Sequence, residues 1–169
     1  MTKLARHFLF VATAIALPHL ASAQGASIAL GSSGFDTGQP VEVSADTLSV
    51  DQGDGQAVFN GNVLVVQGEV RMTAGRITVV YGTDSDGNAS GIENLLADGG
   101  VTFVTATDAA EASEAVYAVA DGVVTLSGNV LLTQGANAIS GERLVIDLES
   151  GAGRMEGRVL TIFGAGDGN

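Results

Sequence analysis

Hydrophobic and polar residues alternate with a period of two along most of the chain from Val41 onward. This alternation predicts β-strands with one buried and one solvated face. The runs are rich in Val, Ile, Leu, Thr and Phe and are separated by Gly, Asn and Asp. Segment 108–120 is the one rival for a helix, because Ala and Glu favour helices; we interpret it as a strand. The predicted strands are 41–50, 56–60, 62–67, 69–74, 76–81, 92–97, 100–106, 112–119, 122–127, 129–134, 137–140, 142–148, 153–156 and 158–163.

An internal repeat organises these strands. A shift of 67 positions superimposes 61–68 (GNVLVVQG) on 128–135 (GNVLLTQG) with six identities in eight positions. Upstream, 45–50 matches 113–118 if one residue is absorbed in the turn, which pairs Leu48 with Val116. Each Gly-Asn step tolerates positive φ, so we expect a tight reversal or a sheet corner there. The chain is therefore interpreted as a duplication of a unit of a few short strands.

The alternation assigns one apolar face and one polar face to many strands. Such strands form either two facing sheets or one sheet folded on itself. On composition alone the apolar face is a core. The predicted interior residues are Leu48, Val50, Phe59, Val63, Val65, Met72, Ile77, Val79, Phe103, Leu126, Val130, Leu132, Ile139, Leu144 and Ile146.

The two ends of the chain differ from this pattern. Residues 1–23 carry basic residues, a ten-residue apolar run and the triplet Ala-Ser-Ala, which is the layout of a cleaved secretory signal peptide. Residues 24–40 are small and Gly/Ser-rich and predict a flexible leader. A single domain is expected over 41–163, followed by a disordered tail over 164–169. We therefore expect an exported, periplasmic protein.

The composition excludes most catalytic chemistry. The chain has no Cys, and both histidines and the only lysine lie within 1–23. After cleavage there is no imidazole, thiol or amine side chain for a triad, a zinc site or a Schiff base. Segment 84–88 starts like a calcium loop, but Ala89 and Leu95 stand at the positions of the required Gly and Glu, so we interpret it as a surface turn. We expect no enzyme, no metal and no cofactor.

The net charge of −12 argues against anionic partners held by bulk charge. Nucleic acid is excluded as a partner, because the five arginines beyond residue 23 are dispersed rather than clustered. Arg76 and Arg143 occupy equivalent repeat positions and are interpreted as solvated strand residues rather than phosphate ligands. An anionic ligand would have to be bound through its apolar part.

Three stretches carry a resemblance to a known family. They are 40–48 (PVEVSADTL), 59–68 (FNGNVLVVQG) and 72–79 (MTAGRITV), and the second repeat copy extends the likeness over most of 40–163. The chain resembles the OstA-like family of periplasmic lipopolysaccharide-transport proteins, LptA among them. The resemblance implies an all-β fold, a folded-over antiparallel β-jellyroll of V-shaped section, here with about 12–16 short strands.

The resemblance also implies a function. The interior face would hold the acyl chains of lipopolysaccharide (its lipid A part) in an apolar groove, which we expect to be open at its ends. Head-to-tail strand pairing would join copies into a bridge between inner-membrane and outer-membrane components of the export machinery. The expected edge residues are Val41, Val43, Val159 and Thr161.

Three alternatives stay open at this point. The first is another subunit of the same machinery. The second is a stacked β-solenoid acting as a structural or adhesin module, with a solid interior and no lipid cargo. The third is a hydrolase with paired carboxylates, which nothing in the spacing supports.

Overall fold

The strands follow from the alternation and form one continuous sheet. A computed structural model describes residues 26–30, 35–51 and 56–164. In this part of the chain, no helix is long and apolar enough to cross a membrane. The strands are β1 (Ala26–Ala29), β2 (Glu42–Ser44), β3 (Thr47–Asp51), β4 (Gln56–Gln67), β5 (Val70–Thr83), β6 (Ala89–Asp98), β7 (Val101–Val104), β8 (Asp108–Ala112), β9 (Glu114–Ala118), β10 (Val123–Gln134), β11 (Asn137–Asp147), β12 (Ala152–Glu156) and β13 (Leu160–Ile162). The all-β prediction is confirmed, and 108–120 contains no helix but two strands, β8 and β9, which divide the strand predicted over 112–119 at Ser113.

The sheet folds over on itself because β4, β5, β10 and β11 run through both of its halves. The first half-sheet has the strand order β3-β4-β5-β6-β9-β10-β11-β12-β1. The second has the order β2-β4-β5-β7-β8-β10-β11-β13. Each of these pairings is antiparallel, whereas the coils of a β-helix pair in parallel. The solenoid alternative is therefore wrong for the described residues.

The corner between the half-sheets lies at the two Gly-Asn steps. Gly61 and Asn62 have φ of 78° and 46°, and Gly128 and Asn129 have φ of 81° and 52°. The register shifts at both steps, between Asn60 and Val63 and between Ser127 and Val130, as in a β-bulge. The expected sheet corner is confirmed, but the strand continues through it. Two strands predicted separately, such as 56–60 and 62–67, are consequently parts of one long strand, here β4.

The predicted flexible leader over 24–40 is wrong where it is described. Residues 26–29 form β1 and pair with β12, at the end of the first half-sheet that lies farthest from β3. Leu30 is only 1% exposed, and Phe35 packs against the core. Ile28 and Leu30 alternate with small residues, and this weak pattern is sufficient for an edge strand. The predicted signal peptide (1–23) and the tail beyond Gly164 lie outside the described residues.

In the structure, the two repeat copies correspond through the shift of 67 positions alone, without the one-residue gap that the sequence comparison introduced. Leu48 lies opposite Phe59, and Ala115 lies opposite Leu126, which is the same relation moved by 67 positions. Ala115, not Val116, is thus the equivalent of Leu48. Val116 points outward and is 41% exposed, so the pairing of Leu48 with Val116 in the repeat is wrong.

Candidate functional site

The inner faces of the two half-sheets carry three continuous apolar rows. Residues directly opposite in antiparallel strands point to the same face, so the register defines each row. The second half-sheet has the row Val43, Val65, Met72, Phe103, Ala110, Leu132, Ile139 and Thr161. The first half-sheet has the row Leu48, Phe59, Ile77, Ala97, Ala115, Leu126, Leu144 and Met155, and the row Val50, Ala57, Val79, Leu95, Tyr117, Val124, Ile146 and Gly153.

The predicted interior residues fall on these rows or beside the corner, where Val63 and Val130 lie. Most of them are buried, but Leu48 and Val50 are 55% and 64% exposed because β3 is an edge strand. Phe59 and Ile139 are half-buried and pack against the core. The sequence-based assignment missed Leu95 and Tyr117, which complete the rows across β6 and β9.

The interior between the rows is filled. The cavity beside Phe103, Met72 and Tyr117 has a volume of about 20 Å³, room for one water molecule. Side chains of both half-sheets line this cavity, so the centre has no room for an acyl chain in this structure, whereas the inner-face residues Leu48 and Val50 are exposed at the β3 end. An acyl chain therefore has to replace contacts that the protein makes with itself.

The two ends of the sheet present strand edges. Among the described strands, β2 and β3 pair only with β4, and β13 pairs only with β11. Of the expected edge residues, Val43 lies in β2 and Thr161 in β13; Val41 and Val159 directly precede these strands. Leu160 and Ile162, each 60% exposed, and Phe163, 79% exposed, were not singled out from the sequence although they continue the apolar pattern.

At the ends of the half-sheets opposite the corner, the turns of one half-sheet face the turns of the other, and we call the space between them the mouth. Its rims are the turns at 68–69, 105–107 and 135–136 on one side and those at 119–122 and 148–151 on the other. Gln67, 6% exposed, lies at the end of β4 and accepts a hydrogen bond of 2.6 Å from the Tyr117 hydroxyl of the facing half-sheet. Burial raises the pKa of Tyr117, although the bond to Gln67 opposes the shift.

Gln134, the repeat equivalent of Gln67, has the same role at the other end of the mouth. Its Nε2 donates to the Ala29 carbonyl at 2.8 Å and to Asp108 Oδ1 at 3.0 Å. Asp108 is 7% exposed and also accepts from the Thr107 hydroxyl. Both glutamines therefore join the two half-sheets. Their matching repeat positions were visible in the sequence, but their partners come from distant segments that no local pattern identifies.

The polar candidates lie away from this interior. Arg76 and Arg143 are exposed, and Arg76 Nε donates to Asn60 Oδ1 at 2.9 Å. Segment 84–88 is a turn closed by Asp84, whose Oδ1 accepts the backbone N–H groups of Asp86 and Asn88. These hydrogen bonds lower the pKa of Asp84. Across the described residues, no cluster of acidic or other ligand side chains could hold a metal ion.

Comparison with known proteins identifies several relatives of this chain. The family model described as "LptA/(LptD N-terminal domain) LPS transport protein" matches residues 42–152. The lipopolysaccharide export system protein LptH of Pseudomonas aeruginosa is 28% identical over 162 residues, which are 90% of this chain and 89% of that protein. The lipopolysaccharide export system protein LptA of Escherichia coli K12 is 30% identical over 115 residues, 64% of this chain and 60% of that protein.

The fold is shared with a solved structure. The crystal structure of LptH, described as the LptA-homologous periplasmic component of the lipopolysaccharide transport device of P. aeruginosa, superimposes with a TM-score of 0.56. The match has 25% identity and covers 79% of this chain and 88% of LptH. A Rhizobium meliloti protein is 28% identical over 70% of this chain. This chain spans just under two thirds of the R. meliloti and E. coli proteins, 66% and 60% of their lengths.

Proposed function

The chain belongs to the LptA/(LptD N-terminal domain) family of LPS transport proteins, and on that premise we propose that it carries lipopolysaccharide through the periplasm. The apolar rows of the two half-sheets would shelter the acyl chains of lipid A. The observation that carries this proposal is the continuity of the rows, which cross every strand from the β2 and β3 edges to β12 and β13. Once the two half-sheets part, these rows offer acyl chains an apolar path across the sheet.

The free energy of burying methylene groups favours binding through the acyl part of the ligand. Each methylene removed from water contributes about 0.8 kcal/mol, so ten methylenes contribute about 8 kcal/mol. This is comparable to the whole stability of a domain, about 5–15 kcal/mol, and offsets the cost of opening a filled interior. The net charge of −12 repels phosphate groups. The headgroup therefore stays in solvent while the acyl chains enter the sheet.

The strand edges support assembly into a bridge. An exposed edge offers unpaired backbone groups to which another strand adds. Val43 and Thr161 stand at opposite ends of one inner row. Pairing β2 of one copy with β13 of the next would join their rows into one stripe. We assign the same edges to contacts with the inner-membrane and outer-membrane parts of the export machinery.

The proposal assigns this chain to the periplasmic component rather than to another subunit. Its support is that the export proteins LptA and LptH align with it. No catalytic role is proposed, because the relatives with a described function are transport proteins. The signal peptide over 1–23 remains a prediction, which N-terminal sequencing of the exported protein tests.

Photo-crosslinking tests the lipid proposal. A photoreactive phenylalanine analogue replaces Phe103, which is 2% exposed on an inner row, or Val116, which is 41% exposed on the outer face, as the control. After irradiation with lipopolysaccharide, the Phe103 variant should give a lipid adduct in much higher yield than the Val116 variant. Adducts from Val116 alone would contradict the proposal. Circular dichroism verifies that both variants fold as β-sheet.

A further inference from the structure

The N-terminal strap, defined here as residues 26–30 and 35–40, lies along the mouth between the half-sheets. Leu30 N–H donates to the Gly151 carbonyl at 2.7 Å, and Phe35 N–H donates to the Leu148 carbonyl at 2.6 Å. On the opposite rim, Gln67 Nε2 donates to the carbonyls of Thr37 and Gln39 at 2.8 and 2.9 Å. The strap is therefore attached to both rims.

The strap also packs its own apolar side chains into or against the buried core. Leu30 is among the largest fully buried side chains, and Ile28 and Phe35 pack against the core. The seat of Leu30 depends on Gly153 in β12, because a Cβ at this position would lie 2.7 Å from Leu30 Cδ1. The inner row that passes through Gly153 thus lacks a side chain at this position, and Leu30 fills the space that a side chain would take.

The attachment is light compared with the rest of the fold. Among the described strands, β1 pairs with β12 alone and over four residues, and beyond Phe35 most strap residues are exposed. Segments with few buried contacts open locally at a small fraction of the free energy of global unfolding. The strap can leave the mouth while the ladders of β4, β5, β10 and β11 stay intact.

We propose that the strap is a built-in occupant of the mouth, which acyl chains displace when lipid A enters sideways between the two rims. This inference rests on the proposed function and adds the route of entry. Because the competent state lacks the strap, the apparent affinity for lipid is the intrinsic affinity reduced by the fraction of open protein. Holding the strap closed must weaken binding, and displacing it must strengthen binding.

A disulfide lock tests the first consequence. Ala29 and Ala152 lie directly opposite in β1 and β12 and are both exposed, so the full-length double variant A29C/A152C suits a disulfide. The chain has no other cysteine. The control L96C/V116C links β6 and β9 on the outer face of the same half-sheet, again between exposed opposite residues. The Kd of fluorescently labelled rough-type lipopolysaccharide is measured for oxidised and reduced forms.

We expect oxidation of A29C/A152C to raise the Kd at least tenfold and reduction to restore it, with no change in the control pair. Gly153→Val tests the opposite direction, because its side chain needs the seat of Leu30. This variant should lower the Kd several-fold and speed amide exchange at Leu30. Gly91→Val, at an exposed strand glycine where an added Cβ would have no heavy atom within 4 Å, is the matched control.

The outcomes separate this inference from the proposed function. If the oxidised lock binds lipopolysaccharide as tightly as its reduced form, the strap is not the occupant of the entry route, and the carrier function stands. The same conclusion follows if Gly153→Val frees the Leu30 amide but leaves the Kd unchanged. If neither the wild type nor any variant binds lipopolysaccharide, the proposed function itself is wrong, and the inference fails with it.

Discussion

The hydrogen bond between Gln67 and Tyr117 gives the sharpest stability prediction, because it joins the two half-sheets through side chains alone. Gln67→Leu keeps the approximate volume and removes the acceptor of the Tyr117 hydroxyl and the donor to Thr37 and Gln39. Tyr117→Phe removes the other partner. No buried side-chain polar atom lacks a partner among the described residues, so either substitution creates the first one.

The expected magnitude follows from burial. Tyr117 is 4% exposed, and an unsatisfied buried hydroxyl costs about 1–3 kcal/mol. The carbonyls of Thr37 and Gln39 lie nearer to solvent and are rehydrated, so the loss of their hydrogen bonds to Gln67 adds about 1 kcal/mol. Gln67→Leu should therefore lower the free energy of unfolding by about 2–4 kcal/mol, and Tyr117→Phe should lower it by about 1–2 kcal/mol. The double variant should be about 1–2 kcal/mol more stable than the sum of the two effects predicts.

Urea unfolding followed by circular dichroism measures the free energy of unfolding of the wild type, the two single variants and the double variant. A parallel thermal melt should show a Tm shift of about 2–4 °C per kcal/mol. Tyr81→Phe, at a tyrosine that is 40% exposed, is the matched control and should change stability by less than about 0.5 kcal/mol. Strictly additive effects of Gln67→Leu and Tyr117→Phe would refute the argument that this bond connects the half-sheets.

Four further predictions concern pH, the corner, the edges and salt. Because burial raises the pKa of Tyr117, the tyrosine ionises first in the unfolded chain, and stability falls as the pH rises above about 10. Tyr117→Phe should reduce this loss of stability, as measured by urea unfolding at alkaline pH. An equal loss in the variant and the wild type would contradict the prediction. Gly128→Ala should destabilise by about 1–3 kcal/mol in urea, since φ is 81° and the new Cβ would lie 2.8 Å from Ser113 Cβ; an unchanged midpoint would argue against a strained corner. Ile162→Lys at the β13 edge should abolish concentration-dependent growth in light scattering, while Val116→Lys on the outer face should not; equal growth in both would exclude β13. Raising the salt concentration should tighten lipopolysaccharide binding, because screening reduces repulsion by the net charge of −12; weaker binding would indicate phosphate contacts instead.

The inner rows could be predicted from the sequence because they depend on local alternation. Val63 and Val65, with their repeat equivalents Val130 and Leu132, are buried as the period of two requires. The one phase error, at Val116, came from a gap inserted into the repeat to align valine with Leu48. Hydrophobicity favoured that choice, but the backbone register places the smaller Ala115 on the inner face.

Features that depend on distant segments could not be predicted in this way. Leu30 is buried only because β1 returns to β12, which lies more than a hundred residues further along the chain. Gly153 shows no pattern that indicates a seat for another side chain. The filled interior is likewise a matter of volume: alternation identifies which face is buried but not how closely the two half-sheets approach.

The central claim is that acyl chains occupy the inner face of the folded sheet, and isotope-filtered nuclear Overhauser spectroscopy tests it most directly. With methyl-labelled protein and unlabelled lipopolysaccharide, the account predicts cross-peaks from acyl methylenes to the methyl groups of Val65 and Leu132, which are 4% and 0% exposed without lipid. Cross-peaks confined to outward-facing methyl groups such as those of Val116 would contradict it.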